Sequence, residues 1–189
     1  APGAAVAAGA APVAAAAPVA ASAAARPAEI PRTEQIDLRS SSGREYRIFI
    51  AKPTGDAPAG GFPVFYMLDG NAVFGTAVEA SRLQARALGP VVIVAIGYPI
   101  ETPLDGDRRY YDLTPKTDIS NFRQRLGRDV VTGGEDEFLD FIVSQVRPLV
   151  ASRYPIDPKR QTLFGHSLGG QFVLHAMFSR PGLFQTYVA

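Results

Sequence analysis

Thr162-Leu163-Phe164-Gly165-His166-Ser167-Leu168-Gly169-Gly170 is the stretch that decides the fold. Residues 162–164 form a short apolar run of the kind found in strands, 165–169 read as a tight turn, and 170–179 read as a helix. A serine at the crest of a sharp strand-to-helix turn has a chemical meaning. Its hydroxyl is a weak nucleophile, so it must stand where a base can reach it and where N–H groups can hold a developing oxyanion. This turn exposes Ser167 and aims the backbone N–H of Leu168 at the developing charge. Gly165 and Gly169 are expected because strand and helix backbones approach too closely for a Cβ. A chance match in a chain with 18 Gly is the alternative. The apolar strand before the turn and the apolar helix after it favour the functional reading.

Upstream lie two continuous apolar runs, Val64-Phe65-Tyr66-Met67-Leu68 and Val91-Val92-Ile93-Val94-Ala95-Ile96. Such runs suit strands buried on both faces. Between them the pattern predicts a helix over about residues 72–88, closed by Gly89-Pro90. Nearer the N-terminus the chain alternates: Ile36 and Leu38, then Tyr46, Ile48 and Ile50, around Ser40-Ser41-Ser42-Gly43. That alternation predicts a β-hairpin. Residues 97–134 have no period and are rich in Pro, Gly, Arg and Asp, so they read as a long surface excursion, a common carrier of substrate contacts. From Glu135 a helix is predicted by Phe138, Phe141, Ile142, Val146, Leu149 and Val150 at three- and four-residue steps, with acidic residues in its first turn. Strands alternating with helices imply an α/β fold, a mostly parallel sheet with helices on both faces and an N-terminal hairpin.

Composition narrows the partners. Among 189 residues the formal net charge is +1, which gives no electrostatic footprint for nucleic acid and favours small molecules. There is no Cys, so disulfides, thiolate metal sites and a Cys nucleophile are excluded. The first 26 residues contain 16 Ala interleaved with Pro and Gly, and no charged side chain precedes Arg26. Methyl groups bury too little surface to offset ordering entropy, so residues 1–30 are expected to be a disordered leader and 31–189 the folded portion. No window has the roughly 20 strongly apolar residues a membrane span needs. The chain does not begin with Met, as expected if an upstream export signal had been removed; a cloning boundary gives the same start. An exported, periplasmic protein is the expectation.

A second oxyanion donor is expected from the loop after the first buried strand, where Asp69-Gly70-Asn71 lies. The backbone N–H of Asn71 is the candidate, against an ordinary Gly turn capped by Asn. Asp69 follows the wrong strand for a triad acid and is expected to be a hydrogen-bond acceptor that fixes the loop.

These residues resemble the putative-esterase family of α/β-hydrolases, which includes esterase D, the mycolyltransferases and the enterochelin-type siderophore esterases. The similarity is greatest to the siderophore group. It is carried by Tyr66-Met67-Leu68-Asp69-Gly70-Asn71, by the RRYYDLTP of residues 108–115, by Thr132-Gly133-Gly134 with Phe138-Leu139, by Tyr154-Pro155-Ile156-Asp157-Pro158 and by the FGHSLGG of residues 164–170. In that family the residue after the Asp-Gly pair gives the second oxyanion N–H, which falls on Asn71. The resemblance implies ester hydrolysis of a ferric or free trilactone catecholate siderophore, with no metal cofactor in the chemistry. Arg108 and Arg109 are candidate substrate-binding residues, since guanidinium donors suit catecholate oxygens; solvated surface arginines are the alternative.

An acyl-transfer serine needs a general base, and the chain has 2 His. His166 sits inside the elbow with its side chain expected on another side of the turn. His175 lies eight residues along the following helix, about 12 Å away at about 1.5 Å per residue. Neither fits. The resemblance places the base, and any orienting acid, on loops after later strands, beyond Ala189. Residues 184–189 also read as the start of a further buried strand, so the C-terminal part of the fold is expected to be absent. The missing C-terminal segment is therefore an expected partner. Competing readings are S-formylglutathione hydrolysis or acyl transfer, and a non-catalytic binding module.

Overall fold

A computed structural model describes residues 27–120 and 127–189. The predicted hairpin forms from β1 (Thr33–Arg39) and β2 (Glu45–Ala51), with Ile36 opposite Ile48. Its turn is closed by Gly43 N–H donating to the Ser40 carbonyl at 2.9 Å, with Gly43 at φ 85°. β3 (Phe62–Met67), β4 (Val92–Gly97), β5 (Ile156–Phe164) and β6 (Thr186–Val188) complete one sheet of order β1-β2-β4-β3-β5-β6. β4-β3-β5-β6 are mutually parallel, and the hairpin is joined antiparallel through β2 and β4. The fold is the expected α/β architecture.

Period-two alternation splits the strands between two cores. Ile48, Ile50, Val64, Tyr66, Val92, Val94, Ile96 and Leu163 face one side. Helices α4 (Glu135–Phe141), α5 (Arg147–Arg153) and α6 (Leu168–Ser179) cover it with Phe138, Val150 and Phe172, joined by Ile142 between α4 and α5. Phe49, Ala51, Phe65, Met67, Ile93, Ala95 and Phe164 face the other side, under Phe74 and Val78 of α1 (Gly70–Leu83). Strands that supply apolar residues to both faces are what the continuous runs required.

The elements differ from expectation in four places. The helix expected at 72–88 begins at Gly70 and breaks at Gln84 before a short α2 (Ala85–Leu88). The excursion at 97–134 contains a helix, α3 (Gly106–Asp112), capped by the Asp105 carboxylate, which accepts the Arg108 N–H at 3.0 Å. The helix from Glu135 widens into a π turn over Ile142–Val146, which runs straight into α5 at Arg147-Pro148; Pro148 has no N–H for the helical ladder. β5 begins at Ile156, six residues before the expected Thr162; its first half is polar, largely exposed and carries Pro158, so no apolar run marks it.

Residues 1–26 of the expected leader lie outside the described residues. Its last residue, Ile30, is half-buried on the core under α1, and its carbonyl accepts the Thr33 hydroxyl at 2.7 Å. Among the described residues, no helix is long and apolar enough to cross a membrane.

Candidate active site

Three parallel strands, β3, β4 and β5, end at one edge of the sheet, where open α/β folds bind ligands. Their loops carry Asp69-Gly70-Asn71, Gly97-Tyr98 and the 165–168 turn.

Ser167 has φ 59° and ψ −117°, a strained backbone for a residue with a side chain. Its side chain is exposed. The turn is closed by Gly169 N–H donating to the His166 carbonyl at 2.9 Å and Gln171 N–H donating to the Ser167 carbonyl at 3.1 Å. A Cβ on Gly165 would sit 2.2 Å from the Gly169 carbonyl oxygen, so this glycine is sterically required, as expected. Gly169 is not: a Cβ there meets Leu68 and Asp69 at 3.6 and 3.7 Å, ordinary contact, and it is Gly170 whose Cβ would press on the Gly165 carbonyl at 3.3 Å. Leu168 opens α6, so its N–H has no intrahelical acceptor.

The facing loop starts with Asp69 in the left-handed conformation, φ 58° and ψ 42°. Asn71 lies in the first turn of α1, where backbone N–H groups lack helical partners. Its side chain fixes the loop to the neighbouring strand end. Asn71 Nδ2 donates to the carbonyls of Tyr98 and Ile100 at 2.9 and 3.0 Å, and the Tyr98 N–H donates to Asn71 Oδ1 at 2.9 Å. Gly97 makes room for this: its Cβ would lie 2.2 Å from Asn71 Oδ1.

The two arginines expected at the substrate both bond to the protein. Arg109 spends Nε and Nη2 on the two Asp69 carboxylate oxygens, at 2.6 and 3.0 Å. Asp69 is thus the expected acceptor, with its donor 40 residues away. Arg108 lies over the rings of Tyr46 and Tyr98, 4.7 Å from each centroid, and donates to the Glu45 carbonyl and to Asp112 at 3.1 and 3.4 Å.

Asp112 is fully buried and accepts the Tyr46 hydroxyl at 3.1 Å. Desolvation pushes its carboxyl up to about 6, against the opposing pull of Arg108 and of hydrogen bonds from Tyr46 and Tyr98. Burial likewise raises both tyrosine hydroxyls.

Neither histidine serves Ser167. Both ring nitrogens of His175 face carboxylates of α4, Nδ1 to Glu135 at 3.1 Å and Nε2 to Asp136 at 3.0 Å. Glu135 is itself raised above the usual carboxylate range, first by burial and then by Asp136, with His175 opposing. His166 is exposed, and among the described residues no hydrogen bond joins it to Ser167.

This strand-turn-helix with its two facing loops defines an α/β-hydrolase. The chain belongs to the Putative esterase family, whose model matches residues 40–189. It is 44% identical over 168 residues to "Ferri-bacillibactin esterase BesA" of Bacillus subtilis, covering 85% of this chain and 58% of that protein. It is 42% identical over 175 residues to "Siderophore triacetylfusarinine C esterase" of Aspergillus fumigatus, covering 86% and 56%. Among solved structures, the BES protein from Bacillus cereus superposes with a TM-score of 0.81 at 39% identity, covering 87% of this chain and 65% of that one. The chain therefore spans less than three fifths of the length of these two curated relatives.

Proposed function

We propose that this protein is a serine esterase acting on a siderophore ester, with Ser167 as nucleophile and the N–H groups of Leu168 and Asn71 as the oxyanion hole. The observation that carries the reading is the strained, exposed Ser167 between β5 and α6. Its Oγ attacks the ester carbonyl carbon as its proton passes to a general base. The carbonyl oxygen becomes the oxyanion held by the two N–H groups. Collapse of the tetrahedral intermediate expels the alcohol, which regains a proton from the base, and water then repeats the sequence to release the acid and restore Ser167. The base comes from outside these 189 residues, in a segment that completes the site, because His175 has no ring nitrogen to spare.

The siderophore part of the proposal is supported by the names of the relatives, and a trilactone catecholate is the substrate class put forward, with any iron entering as cargo of the substrate. The chemistry asks for no metal cofactor. Arg108 and Arg109 stay candidate substrate ligands by proposal, each already bonded to the protein through part of its guanidinium group. An exported, periplasmic site of action is proposed from the Ala-rich leader; fractionation of cells that make the protein tests it, and recovery in the cytoplasm would contradict it. The activity is tested with a panel of enterobactin, simple aryl esters, thioesters and sugar esters given to the protein expressed from its whole gene. Turnover of the trilactone supports the assignment. Turnover confined to thioesters would favour S-formylglutathione-type hydrolysis and sink the siderophore reading.

A further inference from the structure

We infer that an uncharged pocket beside Ser167 is the subsite for the acyl group of the ester, and that it selects a single ring bearing hydrogen-bond donors over an anionic one. This rests on the serine-esterase reading above. The pocket has a volume of about 110 Å³. Leu168 and Gln171, one turn apart on α6, line it on the side of the nucleophile. Leu168 follows Ser167 directly, and the Gln171 N–H donates to the Ser167 carbonyl at 3.1 Å. The rest of the lining is Tyr110 of α3, Thr114, Thr117 and Thr132, with the buried side chain of Val130. An acyl group on Ser167 Oγ stays one residue from Leu168 through both halves of the reaction, whereas the alcohol departs after the first. A pocket that begins at Leu168 therefore serves the acyl side.

The lining is held in place and its polarity is one-sided. The segment after α3 is tied to the segment before α4: the Gly133 N–H donates to the Thr114 carbonyl and the Thr117 N–H to Thr132 Oγ1, both at 3.1 Å. Each threonine hydroxyl in turn donates to a backbone carbonyl, Thr114 to Tyr110 at 2.5 Å, Thr117 to Pro115 at 2.9 Å and Thr132 to Thr117 at 3.3 Å. A threonine hydroxyl has one proton and two lone pairs, so what these oxygens have left is acceptor capacity. Among the described residues that line the pocket none is charged, and nothing there offsets the desolvation of an anion. Size sets the other limit. A closed cavity of roughly 150 Å³ holds a benzene ring, so this smaller pocket, which reaches solvent at the exposed Thr117 and Gln171, admits one ring and no more. A phenol or an aryl amide satisfies both conditions, and a ring bearing a carboxylate or sulfonate fails the second.

The test gives the protein expressed from its whole gene a set of para-nitrophenyl esters that share one leaving group and differ in the acid: acetate, phenylacetate, meta-hydroxyphenylacetate and meta-sulfophenylacetate. kcat/KM should be about three- to tenfold higher for the hydroxylated ring than for phenylacetate, the scale of one neutral hydrogen bond, and about tenfold or more lower for the sulfonate. Thr114→Val keeps the volume and removes an acceptor, so the hydroxyl preference should fall to within about twofold of unity. Gln171→Trp, at an exposed position, fills the mouth and should lower the ratio of phenylacetate to acetate turnover by about tenfold or more. Each readout is a ratio within one protein, so a partly folded sample does not move it. Equal turnover of the hydroxylated and sulfonated rings, a hydroxyl preference that survives Thr114→Val, or an unchanged ratio in Gln171→Trp overturns the proposal. If no ester is turned over and a fluorophosphonate leaves Ser167 unmodified, the esterase reading fails and the pocket is judged by binding alone. Phenol titrated into protein with isotope-labelled threonine methyls should then shift the Thr114 and Thr132 resonances saturably, and benzenesulfonate should leave them in place. Resonances that phenol does not move, or that both compounds move alike, overturn the pocket itself.

Discussion

The two glycines that flank Ser167 in the motif look equivalent, and the structure says that they are not. Alanine at Gly165 would put its Cβ 2.2 Å from the Gly169 oxygen, 2.4 Å from its carbonyl carbon and 2.9 Å from its Cα. All three are backbone atoms, so no rotamer change relieves the overlap. Restoring ordinary contact requires the strand end and the first turn of α6 to part by roughly 1 Å, and a displacement of that size at a reacting group costs on the order of 10²-fold in rate. Overpacking against a rigid backbone adds about 1–3 kcal/mol of destabilisation. Alanine at Gly169 meets nothing closer than 3.6 Å and sits in a helix, where replacing Gly by Ala gains up to about 1 kcal/mol. Thermal melts and fluorophosphonate labelling rates of the two variants are the assay. Gly165→Ala should melt lower and label about 100-fold more slowly, while Gly169→Ala should melt at or above the parent and label within a few-fold of it. Equal behaviour of the two variants, or normal labelling of Gly165→Ala, would refute the packing argument.

Other outcomes follow from the cores and the buried carboxylate. Phe138 packs with Tyr46, Phe141 and Phe172 and is 2% exposed, so Phe138→Ala should cost about 3–5 kcal/mol in a denaturant titration. Burial raises the Asp112 carboxyl from its ordinary 3.8 to about 6, so the folded state binds the extra proton between these values. Stability should fall as pH rises from about 4 to about 6 and be level above that, by at most about 3 kcal/mol, and Asp112→Asn should flatten that slope in melts across the window. Deletions beginning at Pro27 and at Pro31 should differ, because only the second removes Ile30 from the core and the acceptor for Thr33. A loss of about 1–2 kcal/mol between the two, read by thermal melts, is expected.

Much of this was legible because strong periodic signals and local turn chemistry coincide. The runs around Val64 and Val92 and the alternation around Ile48 gave the sheet, and the short strand before Ser167 gave the elbow. What escaped detection depends on separation or brevity. α3 has 7 residues, too few for a period, and its one local signal was Asp105 as a cap. The first half of β5 is polar and largely exposed, meets β3 only at Ile156 before a register shift, and so carries no strand pattern of its own. At the site, the place of Asn71 after a strand was legible, and the structure puts it in the first turn of α1. The pairing of Arg109 with Asp69 spans 40 residues and leaves no mark in either neighbourhood, so the sequence did not show it. Gly169 was read as required because the motif is symmetric in sequence, although the backbone contact belongs to Gly165 and Gly170.

The central claim is that Ser167 is the nucleophile, and the direct measurement is a fluorophosphonate reaction followed by mass-spectrometric mapping of the modified residue, with Ser167→Ala alongside. A single adduct on Ser167 that is absent from the alanine variant is the predicted result. An adduct elsewhere, or equal modification of both proteins, would contradict it.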